Sequence, residues 1–76
     1  MKGNLMNKQL KLLLEDVITV CKLDYGKFTG YVAPPDDVEI QALANMGYVE
    51  DKGPSPYPGH QLWMVTPTGR QAVQQS

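Results

Sequence analysis

The chain has one cysteine, one histidine and no excess of charge of either sign, and each shortage removes a class of function. With Cys21 alone, no internal disulfide can form and no thiolate zinc knuckle can be built; the chain fits a reducing, cytoplasmic setting. No apolar run approaches the ~20 residues of a membrane span. Glu15-Asp16 interrupt the only stretch that resembles a signal-peptide core. Seven Lys and Arg against eight Asp and Glu leave a net charge of −1, which is not the balance of a protein that coats nucleic acid. What remains is ordinary for a globular chain: 76 residues, 42% hydrophobic and 20% charged. That length predicts a single domain over residues 1–76, with residues 1–6 and 74–76 frayed. A chain so short buries only about 60% of its unfolded surface, close to the lower limit for a single core.

Hydrophobic periodicity predicts a first helix from about Asn7 to Leu23. Leu10, Leu14, Val17 and Cys21 recur at helical spacing, and Leu13 and Val20 widen the stripe. Asn7 or Asn4 can cap its start, and Gly26 can supply the left-handed residue that ends it. The β-branched run Val17-Ile18-Thr19-Val20 opposes helix locally, but a strand there would not explain the longer period. Leu12 and Leu23 form a second stripe roughly opposite the first. It suits a helix covered on two sides, a homodimer interface, or scattered surface leucines.

Gly26, Gly30, Pro34 and Pro35 oppose a long helix over residues 24–35. Phe28, Tyr31 and Val32 suggest a short extended piece that tucks aromatics onto the core. A second helix should follow over Asp36 to Met46, opened by an Asp36/Glu39 capping box behind Pro34-Pro35. Ile40, Leu43 and Ala44 supply its buried stripe, Gly47 its left-handed terminus, and Tyr48 the hydrophobic residue that folds back.

From Tyr48 the period changes to two. Tyr48–Glu50 reads as a short strand. His60–Thr66 reads as a longer one, with Leu62, Met64 and Thr66 on one face and Trp63 and Val65 on the other. The connection over residues 51–59 is too long for a tight turn and is stiffened by three prolines. Thr66-Pro67 then opens a short C-terminal helix, with threonine as N-cap and proline at the first helical position. Gly69 should weaken that helix.

The stretch Leu43-Ala44-Asn45-Met46-Gly47-Tyr48-Val49-Glu50, followed by Trp63-Met64-Val65-Thr66-Pro67-Thr68-Gly69-Arg70, resembles the C-terminal half of small winged helix-turn-helix proteins of bacteria and phages. The resemblance implies an α+β, winged-helix-like fold: an N-terminal helix, a second helix, a two-stranded antiparallel wing and a short C-terminal helix. It makes Asp36 to Met46 the recognition helix and Asp51 to Gly59 the wing. Small relatives of this kind are frequent in phages and mobile elements, as regulators or as inhibitors of host factors. The family has a further short helix where this chain carries the glycines and prolines of residues 24–35, so the helix-turn-helix is incomplete.

The residues then weigh the chemistry. Cys21 on the apolar stripe reads as a small buried thiol, and His60 as a solvated strand-end histidine. No phosphate-binding glycine loop and no metal-ligand spacing occurs, which predicts a non-enzyme without cofactors or metals. The face of the second helix away from the core should carry Val38, Gln41, Ala42 and Asn45, with Met46 extending it. From Phe28 to Asp51 inclusive the chain has five acidic residues and no Lys or Arg. That balance favours a protein partner over phosphate, with Val38, Gln41, Ala42, Asn45 and the wing residue Tyr57 as contacts. Tyr57 could instead fold over Trp63 and close the wing. The alternative partner is duplex DNA, read by the Gln41 and Asn45 amides with Lys52 on a phosphate.

Overall fold

Asn7 opens the first helix by accepting a hydrogen bond from the Leu10 amide at 2.8 Å through its side-chain oxygen. Helix α1 spans Lys8–Cys21 in the computed structural model, which describes residues 7–24 and 26–75. The other suggested cap, Asn4, lies outside the described residues. Leu10, Leu14 and Val17 are buried as the period requires, and the β-branched run stays helical because its packed face outweighs its propensity. Gly26 does not end α1. Lys22 caps it in right-handed geometry; its amide donates to the Thr19 carbonyl at 3.2 Å, and the Leu23 amide donates to the Val20 carbonyl at 3.0 Å. The positive φ of Gly26, 64°, instead opens a short 3-10 turn, Gly26–Phe28, whose first amide donates to Asp24 Oδ1 at 3.0 Å.

The extended piece is a full member of the sheet. Strand β1, Tyr31–Ala33, pairs antiparallel with β3, Gln61–Val65, which also pairs antiparallel with β2, Val49–Pro54. Among the described residues the order is β1-β3-β2, three strands where a two-stranded wing was expected. Trp63 supplies one reason. Its buried indole N–H needs an acceptor, and the Ala33 carbonyl provides it at 3.1 Å.

Helix α2 spans Val38–Asn45 and is capped by Asp37, not Asp36. Asp37 Oδ1 accepts from the Glu39 and Ile40 amides, both at 3.0 Å. This start places Glu39 one position too early to close a capping box. Asp37→Ala should therefore cost about 1 kcal/mol in urea denaturation while Asp36→Ala stays within about 0.5 kcal/mol; equal losses would return the cap to Asp36. The far end matches expectation. Gly47 has φ 80°, its amide donates to the Ala44 carbonyl at 3.0 Å, and the Tyr48 amide reaches the Leu43 carbonyl at 2.9 Å.

Strand β2 runs on through Lys52 and Gly53 because a bulge at Lys52 absorbs one residue between the Asp51–Trp63 and Gly53–Leu62 pairs. Lys52 Nζ donates to the Thr29 carbonyl at 2.9 Å. Since β3 lies between β1 and β2, this side chain spans the central strand. Helix α3, Pro67–Gln75, starts where Thr66 Oγ1 accepts from the Gly69 amide at 3.0 Å.

One core joins α1, α2 and one sheet face: Leu14, Val17, Ile40 and Leu43 have no exposed surface, and Ala33, Val49, Trp63 and Val65 complete it. Leu62, on the opposite face, is also only 2% exposed. The chain at Gly30 covers it so closely that a Cβ there would lie 3.4 Å from Leu62 Cβ.

Candidate binding surfaces

Helix α2 turns Val38, Gln41 and Asn45 to solvent, and Val38 is 80% exposed. Ala42 and Met46 do not join them. Both are half-buried and pack on the core, because α2 lies against α1 as well as β2 and so buries a wider arc than Ile40 and Leu43 alone define. Gln41 is tethered too: its Nε2 donates to the Pro35 carbonyl. The face that remains is Val38, Gln41 and Asn45, bordered by the exposed acids Asp36 and Glu39.

Tyr57 sits elsewhere. It does not close over a solvated Trp63, which is buried in the core at 3% exposure, and it stays 61% exposed itself. Ser55 fixes the hairpin tip by accepting the Tyr57 amide at 3.0 Å and donating to the Tyr57 carbonyl at 2.9 Å. There Tyr57 and Pro56 face Val20 of α1, Phe28 of the 3-10 turn and Tyr31-Val32 of β1 across an open cleft of about 560 Å³. No residue of α2 lines this cleft. The predicted contact set thus falls on two surfaces, a polar helix face and an apolar cleft.

Among the described residues the cleft walls carry no charged side chain, and charges of both signs stand around it. Lys27 Nζ lies 5.2 Å from the Phe28 ring centroid, a cation–π distance. Lys52 is exposed and anchored on Thr29, beside the lining residue Gly30. Tyr31 lines the cleft, and its hydroxyl is pushed above the usual tyrosine range, first by burial and then by the negative charges of Asp16, Asp37 and Glu39. Tyr31 is therefore a neutral donor near neutral pH.

The residues weighed for catalysis have local partners. The Cys21 thiol is half-buried, 3.9 Å from the Trp63 carbonyl and 3.7 Å from Met64 Sδ. His60 Nδ1 lies 3.0 Å from the Pro58 carbonyl. Among the described residues, no group of three His, Cys, Asp or Glu could hold a metal ion. No helix of the described residues is long and apolar enough to cross a membrane. Leu12 and Leu23 are 52% and 47% exposed; Leu12 lies in α1 and Leu23 past its end.

No protein-family model, curated protein or solved structure matches this chain. The cleft was not visible in the residue pattern, since Phe28 and Tyr57 are far apart in the chain and only the pairing of β1 with β3 brings their loops to one side.

Proposed function

We propose that this chain is a non-enzymatic binding module with a winged-helix-like arrangement, a small cytoplasmic regulator or inhibitor that acts by contacting another protein. The observation that carries the reading is the aromatic cleft under the hairpin tip, where Tyr57 and Phe28 stay 61% and 40% exposed on a rigid frame. Large rings held in place lose little freedom on binding and make typical interface anchors. The winged-helix-like reading draws support from the order α1-β1-α2-β2-β3-α3, with α2 leading through Gly47 into the β2–β3 hairpin and Thr66-Pro67 leading out. Val38, Gln41 and Asn45 form a second contact surface, and a phage or mobile-element origin suits a protein of this size and kind.

Duplex DNA is the competing partner. Two tethers weigh against it: Gln41 is held by Pro35 and Lys52 by Thr29, so both would have to leave an existing hydrogen bond to reach a base or a phosphate. Acids at Asp36 and Glu39 would also approach the backbone uncompensated. Fluorescence anisotropy with labelled duplexes decides the matter. The expected result is no binding at physiological salt and no sequence preference. Tight, sequence-selective binding that weakens steeply with salt, and less steeply in Lys52→Ala, would overturn the protein-binding reading.

A further inference from the structure

We propose that β1 docks an extended segment of a partner protein as a fourth strand. That segment carries a large apolar side chain beside lysine or arginine. This rests on the protein-binding reading and names the partner's chemistry. The outer edges of the sheet differ. β2 is blunted against pairing by Glu50-Asp51-Lys52, by the bulge at Lys52 and by Pro54. β1 has none of these devices. Tyr31-Val32-Ala33 is uncharged, free of proline and in regular register, and its outer side has no partner strand among the described residues. The cleft belongs to that open edge: Tyr31 and Val32 point to opposite sides of the sheet, as neighbours in a strand must, yet both line it. A segment laid along β1 gains main-chain hydrogen bonds. It drops one side chain between Val20, Phe28, Pro56 and Tyr57, where about 560 Å³ holds leucine or phenylalanine.

Charge selects the neighbours of that side chain. On the Phe28 side the signs balance, since Lys27 and Lys52 each have an acid close in the chain, Asp24 and Asp51. On the helix side they do not. Asp16 shares an α1 face with Val20, four residues on, and Asp37 and Glu39 stand at the start of α2, just past the end of β1. All three carboxylates act on Tyr31, and Asp37 keeps its charge while capping. No Lys or Arg lies three or four residues from Asp16, and none lies from Phe28 to Asp51. The excess around the cleft is therefore negative, and a basic residue beside the buried one meets it. A second copy of this chain is a poorer occupant. Its Lys8-Gln9-Leu10-Lys11 stretch is wound into α1 and its Lys27-Phe28 pair into the 3-10 turn.

The test is an amide chemical-shift titration of the whole protein with three short synthetic peptides. Each carries one phenylalanine in a strand of threonine and valine, flanked by lysines, by glutamines or by glutamates. The lysine-flanked peptide should shift amides at Val20, Phe28 and Tyr31–Ala33. The glutamine form should bind about threefold more weakly and the glutamate form about tenfold. Asp16→Asn combined with Glu39→Gln changes two exposed side chains, so the variant folds, and it should abolish the preference. N-methylation of the lysine-flanked peptide at alternate residues should weaken binding about tenfold in one phase and leave the other unchanged, because one edge of an added strand faces β1. The inference falls, and the protein-binding reading stands, if the other peptides bind as tightly, if both methylated phases bind equally, or if the shifts map to Val38, Gln41 and Asn45. The same shifts on concentrating the protein alone would give the edge to a second copy and overturn the inference. No shift by any peptide at millimolar concentration would overturn both the inference and the cleft as a protein site.

Discussion

Leu43→Ala should unfold a large fraction of this protein, at a cost of about 2–5 kcal/mol. A chain of 76 residues has about 4–11 kcal/mol of stability to lose at typical values per residue, and small domains fall at the lower end. Leu43 has no exposed surface and lies in the core beside Ile40, where α2 meets α1 and β2. Truncation removes apolar burial and leaves a cavity that three packed elements resist closing. Leu43 also stands where α2 ends, its carbonyl accepting the Tyr48 amide at 2.9 Å, so loosening the side chain loosens the turn into β2. The control is in the same helix. Val38→Ala removes an apolar side chain that is 80% exposed and should change stability by less than about 0.5 kcal/mol. Urea midpoints of the two variants check the pair. Similar losses would mean that α2 is not docked by the face described.

What could be read from the residues was whatever local chemistry determines. The helical period of Leu10, Leu14 and Val17, the left-handed Gly47 with Tyr48 behind it, the switch to period two at Trp63 and Val65, and the Thr66-Pro67 start all depend on neighbours within a turn or two. Errors arose where adjacent residues compete for one role. Asp36 and Asp37 are equally able to cap, and the geometry after Pro34-Pro35 selects the second. Gly26 can end a helix or open a turn, and α1 had already ended at Lys22. Features with distant partners were not legible at all. β1 is only three residues long and becomes a strand through Trp63, thirty positions beyond Ala33; the Lys52 bulge has meaning only with Thr29 across β3. The candidate site divides the same way. Exposure of Val38, Gln41 and Asn45 followed from helical phase, whereas Ala42 was misplaced because the width of the buried arc depends on two neighbouring elements. The cleft required three.

Gly69→Ala is the variant on which propensity and packing disagree in sign. In an isolated helix, alanine should stabilise by about 1 kcal/mol relative to glycine. In this fold the same change should destabilise by about 2–4 kcal/mol. The reason is a backbone atom. Gly69 is buried in the first turn of α3, and a Cβ there would overlap the Tyr48 carbonyl oxygen and press on Val65 Cγ2. That carbonyl cannot retreat without loss, because it accepts the Thr66 amide at 2.9 Å. Thr66 also donates its hydroxyl to the Gly47 carbonyl at 2.6 Å while capping the Gly69 amide at 3.0 Å. The start of α3 is thus held to residues 47 and 48, the junction between α2 and the hairpin, by bonds that relaxation around a new methyl group would stretch. Glycine at this position trades helix propensity for close approach. Thr68→Ala, one position away and exposed, should follow propensity instead and change stability by less than about 0.5 kcal/mol. Thermal and urea unfolding of both variants against the parent measures the contrast. A Gly69→Ala protein more stable than the parent would mean that α3 does not pack on Tyr48 as described.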